Sequence, residues 1–528
     1  MSILAASVTQ QVVLYGQTFK ERNKHTIMNR RDLLKGLAGV PFLGAYGYIF
    51  AGKIATEKTE EASAFQKFVR SKILPSGKKQ SVQTSGGEKV RIGLVGFGIR
   101  GKQLMKSMGF MTPEDIDRMN DRQRKLFLDQ PDLNIEISGV CDLYKPRLEE
   151  AARAGANNDR EGTSSFNRKP VKQYGRFEDL IASPEVDAVV IATSDHWHGP
   201  VAVLAANAGK HVYCEKALTH ALEDVYDVRD AVKNNRVVFQ LGHQNRQAES
   251  NRMAAKVVQA GMLGNVNLVE TTTNRNSPNG AWVYDIPEDA GPHNVDWQRF
   301  LRNTNTPFNK EHFFRWRLFW DYGTGLNGDL MTHEYDSINQ MMNMGIPEIV
   351  TTTGGIYHWK DGREVPDVQQ TVLEYPSRNF SLLYSASLAS NFYRPKKVMG
   401  DEASIEVGAT LKMFVDSESK MYEEYLSNED ILPNQPIALT QDMQAQLDAV
   451  SSATEKYFAS RGLLYTSQGG RMVDTAHLHL AEWLHGIRTG AAVSCGIDEA
   501  FEEGITAMMA TIAYREGRVV RWDGEKVV

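Results

Sequence analysis

The sequence predicts an α/β chain. A doubly wound parallel sheet is expected over residues 90–245, and an α+β domain with a large open, mostly antiparallel sheet over 246–528. Three observations predict it. A glycine-rich turn follows directly on an apolar run at Val90–Val95. Short apolar runs then alternate with helix-length segments as far as Leu241. From residue 347 to 415 the apolar positions instead recur at every second residue, as in Phe380–Leu388. Strands alternating with helices imply parallel pairing, whereas strict alternation marks half-buried antiparallel strands.

Composition excludes several classes. With 41% hydrophobic and 24% charged residues, the chain has ample material for a core. A net charge of −5 excludes a chain-wide basic surface that would bind nucleic acid through its phosphates. Cys141, Cys214 and Cys495 are too few and too far apart for a disulfide framework or a cysteine-only zinc site.

The first element is an address. Residues 1–35 carry six basic groups against two acidic ones, and an uncharged run of 17 residues follows from Gly36 to Gly52. A membrane span needs about 20 predominantly apolar residues, so a basic region before a shorter apolar one reads as an export signal. Asn29-Arg30-Arg31-Asp32-Leu33-Leu34-Lys35 resembles the twin-arginine export motif. The expectation is an upstream extension at 1–27, a signal at 28–52, a linker at 53–89, and delivery to the periplasm by the twin-arginine machinery. A basic amphipathic helix and an uncleaved membrane anchor stay open as alternatives.

Val90–Val95 runs into Gly96-Phe97-Gly98-Ile99-Arg100-Gly101, the G-x-G-x-x-G pattern in its strand–turn–helix setting. Gly96 makes the turn, Gly98 lets backbone approach a pyrophosphate, and Gly101 allows close helix packing. Ile99 and Arg100 open the helix, whose free N–H groups suit phosphate. Ile135–Val140 reads as the second strand, and Asp142 beyond it is placed to hold a ribose 2′-hydroxyl, which favours NAD. Lys145 and Arg147 keep NADP open. Asp142 lies 41 residues past Gly101 because Thr112–Asp129 reads as a capped helical insertion. Ligands in such sheets sit beyond the carboxyl ends of the strands. The loops there carry Thr193, His196 and His198, then Glu215 and Lys216, then Gln244 and Arg246. His196 and His198 lack a third ligand at metal spacing, so no metal is expected.

The run Thr193–Leu218, with Glu215-Lys216 after a strand, resembles the glucose–fructose oxidoreductase / inositol dehydrogenase / MocA family. Ala217 stands where that family has proline. Gly328-Asp329-Leu330-Met331-Thr332-His333 is similar to the family's Asp-x-x-x-His pair, and Ala513–Gly524 to its closing segment. The resemblance spans about residues 90–524. It implies a Rossmann domain and an open-sheet domain, hydride transfer between a sugar or polyol and a nicotinamide, a catalytic cluster of Lys216, Asp329 and His333, and a homo-oligomer formed through the open sheet.

The residue chemistry agrees. Oxidising an alcohol needs a base for the hydroxyl proton, and an imidazole suits that near neutral pH. Asp329, four residues earlier, would share a helical face with His333 and orient it. Lys216 would stabilise the developing alkoxide. Taken singly, Asp329 also suits a first-turn acid and His333 a structural histidine. Trp282, Tyr284, Trp297, Arg315, Trp316, Arg317, Trp320 and Tyr322 form a dense aromatic–arginine set; Arg315, Trp316 and Tyr322 join Lys216, Arg246 and His333 as candidate substrate contacts, with core packing as the other reading. Residues 416–470 read as a charged, helix-rich insertion without evident purpose.

Three functions therefore compete. They are an exported oxidoreductase with tightly held NAD, a glycosidase or lyase in which NAD acts through a transient keto-sugar, and a cofactor-binding protein without catalysis.

Overall fold

The structure is a computed structural model describing residues 64–73, 87–302, 305–440, 457–468 and 471–528. The expected extension at 1–27 and signal at 28–52 lie outside these residues, and the helix Ala64–Ile73 falls within the stretch expected as linker. The chain divides into units 1–68 and 69–528, and the second holds both sheets. No helix among the described residues is long and apolar enough to cross a membrane.

The first sheet contains β1 (Val90–Val95), β2 (Ile135–Cys141), β3 (Lys172–Tyr174), β4 (Ala188–Ile191), β5 (His211–Cys214) and β6 (Phe239–Leu241). All its pairings are parallel, in the order β3-β2-β1-β4-β5-β6. The order reverses between β1 and β4, the switch point at which such sheets open a ligand crevice. The expected insertion is helical: Thr112 caps Pro113–Asp117 by accepting from Asp115 N–H, and Asn120 and Gln123 form a capping box at Asp121–Leu128. The helix after β4 begins at Asp195 and carries Pro200 in its second turn.

The second sheet contains β7 (Val266–Asn274), β8 (Ile349–Gly355), β9 (Val368–Tyr375), β10 (Phe380–Ser387), β11 (Lys396–Gly400), β12 (Ala403–Val407), β13 (Lys412–Val415) and β14 (Ile437–Ala438). A hairpin of β15 (Tyr465–Gln468) and β16 (Arg471–Asp474) stands apart, and β17 (Val520–Arg521) closes the sheet beside β8. Every pairing in this sheet is antiparallel except β7 with β10. The described part of 416–470 is not helix-rich: it holds the short helix Glu423–Ser427, β14 and β15, while 441–456 lie outside the described residues.

The boundary expected at 245/246 is crossed near the end of the chain. Leu480, Ala481, Trp483 and Leu484 of the helix Thr475–Thr489 join Ile92, Leu94, Leu104 and Val190 in one buried cluster. Trp483 packs edge-on against Tyr213 of β5 at 5.6 Å. Burying one such side chain contributes roughly 1.5–3 kcal/mol, so the late helix is part of the nucleotide domain's core.

Two residues expected at the site belong to the core instead. His196 and Tyr322 lie with Phe300 in an aromatic knot, with ring centroids 4.8–5.3 Å apart. His196 Nε2 sits 2.7 Å from the Phe300 carbonyl, and burial pushes its pKa down to about 3. The run of ring residues after Trp297 is apolar enough to be drawn inside, taking both with it. A histidine that stays neutral when folded but titrates near 6.5 when unfolded adds stability above that pH and loses it as pH falls toward 3. Between pH 7.5 and 5.5 the wild type should therefore lose roughly 1 kcal/mol more stability than His196→Gln, read by urea unfolding. Equal losses in the two proteins would show that His196 titrates as an ordinary histidine.

Candidate active site

A cavity of about 760 Å³ opens where the sequence places a ligand, beyond the carboxyl ends of β1, β4 and β5. At one end stands the glycine turn. Gly96 has φ +91°, and a Cβ there would collide with the backbone of Ala192. Gly101 is not a wall residue; its bare Cα lets the helix Ile99–Ser107 close against the Gly96 carbonyl. Gly98 faces open space, its nearest neighbour in the Cβ direction being Arg147 Nη1 at 3.9 Å. Open space beside a free helix N-terminus fits a pyrophosphate. Ile99 and Arg100 complete this end of the wall. Asp142 lies across from them, accepting from Phe97 N–H (2.6 Å) and Tyr144 N–H (2.8 Å). Burial raises its pKa, against Arg147 and the backbone donors. A carboxylate offers about four acceptor sites, so room for a ribose hydroxyl remains beside the backbone donors. The residues present thus fit a dinucleotide.

The reactive end gathers Glu215, Lys216, Asp329 and His333. Lys216 Nζ donates to Asp329 Oδ1 (2.7 Å) and to the Asp329 carbonyl (2.8 Å). The Arg317 guanidinium donates to the same Oδ1 at 3.0 Å, and Trp282 Nε1 to Oδ2 at 2.9 Å. Burial would raise the Asp329 pKa, but Lys216 and Arg317 outweigh it and hold the carboxyl well below the usual range. The Lys216–Ala217 peptide is cis. The His198 ring spans the carbonyls of Ala217 (2.6 Å) and Thr193 (3.2 Å), which pins the lysine's loop to the loop after β4. Arg100 Nε (2.8 Å) and Gln244 Nε2 (2.9 Å) hold Glu215 Oε1 from the nucleotide side.

Asp329 does not orient His333 as the spacing suggested. Asn327–Met331 forms a π-helical turn and the α-helix begins only at Thr332; Asp329 and His333 both line the cavity, but the hydrogen bonds of the carboxylate go to Lys216, Arg317 and Trp282. Asp329 instead fixes Lys216. The His333 Nδ1 is buried without a hydrogen-bond partner. Burial first, then the charges of Lys216 and His243, hold the imidazole pKa well below its ordinary value. His333 is therefore a neutral base across the neutral range.

Of the other expected contacts, Trp316 lines the cavity while Arg315 does not. Arg315 Nε donates to the Tyr284 carbonyl at 2.8 Å and Nη1 to Glu311, bracing the wall from behind. Several wall residues carried no mark in the sequence. Arg275 follows β7 as a polar residue beyond a strand end, the one signal that could have exposed it; Asn279 and Phe458 had none.

Arg246 also moves out of the substrate site. It lies in a buried cluster behind His333, with Nε and Nη2 on Asp336 Oδ1 at 2.8 and 2.7 Å. His243, Asp336 and Glu503 bring potential metal-ligand atoms within 4.8 Å of one another, and the guanidinium is the cation in their midst. Burial works against a charged His243, but Asp336 and Glu503 outweigh it and raise its pKa. Its ring meets His333 edge-on at 5.4 Å. Arg246→Met should strand Asp336 and lower stability by about 3–5 kcal/mol, read by urea unfolding. NAD affinity should stay unchanged; a fall in affinity at intact stability would return Arg246 to the site.

Comparison with known proteins bears on the same residues. The oxidoreductase family of NAD-binding Rossmann fold matches residues 90–243, and its C-terminal alpha/beta domain matches 255–521. A levoglucosan dehydrogenase of Pseudarthrobacter phenanthrenivorans is 27% identical over 190 residues, covering 34% of this chain and 41% of the relative. A glycosyl hydrolase family 109 protein of Saccharopolyspora erythraea is 27% identical over 264 residues, covering 49% and 45%. The inositol 2-dehydrogenase of Salmonella paratyphi B is 31% identical over 131 residues, covering 25% and 35%. The chain thus spans less than half the length of these relatives. A levoglucosan dehydrogenase solved with NADH and levoglucosan superposes with a TM-score of 0.55 at 18% identity, covering 82% of this chain and 99% of that one. The WlbA dehydrogenase of Bordetella pertussis, solved with NADH and UDP-GlcNAcA, gives 0.53 at 15%, covering 82% and 99%. With both of its domains matched in order along the chain, this protein belongs to the glucose–fructose oxidoreductase / inositol dehydrogenase / MocA oxidoreductase family.

Proposed function

We propose that the chain is an NAD-dependent dehydrogenase acting on a secondary hydroxyl of a sugar or polyol. The observation that carries this reading is the convergence of Lys216 and His333 on one cavity wall, with Asp329 engaged to the lysine and not to the histidine. Gly98, Ile99 and Asp142 would hold the dinucleotide, with Asp142 against the ribose. NAD, when bound, accepts the hydrogen that leaves the carbon with its electron pair.

The chain's own residues do the rest. Lys216 Nζ keeps its third donor free after serving the Asp329 carboxylate and carbonyl, and presents it to the substrate hydroxyl. Its charge stabilises the oxygen as the proton leaves. His333, held neutral, takes that proton. The paired carboxylate keeps the ammonium in place without competing for the proton.

Arg30-Arg31 supports export, and an exported enzyme cannot draw on the cytoplasmic NAD pool, which favours a tightly held cofactor. The matched family 109 protein, together with that export motif, favours a second reading: a glycosidase that regenerates its NAD within each cycle.

Purified protein should carry NAD rather than NADP by mass spectrometry, and a sugar should change its nicotinamide absorbance. Lys216→Met and His333→Asn should each lower kcat/KM by about 10²-fold or more while the protein retains NAD. Undiminished turnover in both variants sinks the dehydrogenase reading. Release of an aryl group from an aryl glycoside, with no added NAD and no sugar acceptor, selects the glycosidase. A reporter carrying residues 28–52 should reach the periplasm only while Arg30 and Arg31 are intact.

A further inference from the structure

One side chain from the 416–470 stretch reaches the reactive end. Phe458 lines the cavity, its ring edge-on to His333 with centroids 5.1 Å apart. The same ring lines a second, small cavity of about 40 Å³ bordered by Arg100, Lys106 and Asp474, so it stands between the two spaces.

Its neighbour Tyr457 holds it there. The Tyr457 hydroxyl donates to the Thr272 carbonyl at 2.9 Å and lies 3.4 Å from Thr273 Oγ1 and from Glu334 Oε1. The Tyr457 ring lies under the Arg461 guanidinium at 3.7 Å and the Arg275 guanidinium at 5.0 Å. Thr272 and Thr273 belong to β7, which leads into Arg275 of the cavity wall. Glu334 directly follows His333. Phe458 is therefore referenced to the same two elements that carry the reactive groups.

We infer that Phe458 is a specificity-determining residue. Its ring is the apolar end wall on which the C–H face of a sugar packs beside His333, and it closes the passage toward the small cavity. Sugars present a polar rim and apolar C–H faces, and a fixed aromatic ring meets the second without needing a hydrogen bond. The chamber then takes an unsubstituted sugar ring and rejects one extended at that end. Tyr457 is the positioning residue. The inference rests on the reading that the site oxidises a sugar hydroxyl.

The test uses the full-length protein with its cofactor and the best sugar from a panel, alongside the same sugar carrying one further methyl or glycosyl group. Phe458→Ala should raise the calorimetric Kd and the KM for the plain sugar about tenfold, with the NAD Kd unchanged. Its preference for the plain over the extended sugar should fall about tenfold. Phe458→Leu should recover most of both, and Tyr457→Phe should shift them in the same direction by less. Unmoved sugar affinity and preference in Phe458→Ala overturn the inference, as does a parallel loss of NAD affinity, which marks general distortion. A wild type that neither binds nor oxidises any sugar overturns the functional reading and this inference together. Turnover in the wild type with unmoved preference in the variant overturns the inference alone.

Discussion

The Asp329 carboxylate is the constraint on which the rest of the molecule depends. It is buried, it carries a charge, and its partners come from separate stretches of the chain: Lys216 after β5, Arg317 from the aromatic–arginine segment, and Trp282 from the stretch after β7. Removing two or more charges from water costs several kcal/mol each unless the geometry of the pairing is close. The nucleotide domain and the open-sheet domain therefore meet where this carboxylate is satisfied. A second tie reinforces it. Asp195, in the first turn of the helix after β4, accepts from the Thr324 amide (3.1 Å) and hydroxyl (2.7 Å), three residues ahead of the π-helical turn. Gly328 within that turn has no room for a Cβ, because the Thr324 side chain and Ala217 Cβ already occupy the space. The lysine's loop and the aspartate's turn approach closely because the residue between them is glycine.

The hydrogen bonds around Asp329 assign the roles. Its two oxygens are engaged by Lys216, Arg317 and Trp282, and none of these bonds goes to His333. The carboxylate serves the lysine, and His333 lies near Lys216 and edge-on to His243, whose pKa Asp336 and Glu503 raise against burial. Burial disfavours the imidazolium first, and the charges of Lys216 and His243 add to it.

Much of this was legible in the sequence for a simple reason. Parallel pairing follows from alternation of element types, and G-x-G-x-x-G needs glycine for sterics that any such turn shares. Lys216 and Asp142 were legible because they follow strands, where the sheet must open. Arg246 met the same rule and still turned inward, since strand-end position says nothing about whether a carboxylate waits in the core, and Asp336 comes from 90 residues away. His196 was misplaced because it follows a strand end and nothing local shows that it turns inward, and Tyr322 because an aromatic among arginines reads alike in a sugar pocket and in a core. Phe458 was invisible: its significance is only that Tyr457 anchors it to β7 and Glu334, contacts 123 residues or more along the chain.

The same long-range logic explains why the nucleotide domain is not self-sufficient. Its sheet is covered on one side by the helix Thr475–Thr489, which follows β7–β16 along the chain, and Gln240 Nε2 of β6 donates to the carbonyl of His479 on that helix at 2.8 Å. A Rossmann half lacking residues 475–489 would expose Tyr213, Leu104 and Ile92 at roughly 1.5–3 kcal/mol each, a large share of a domain's usual margin of about 5–15 kcal/mol. The sheet that carries the dinucleotide end of the cavity therefore draws part of its core from a helix near the end of the chain.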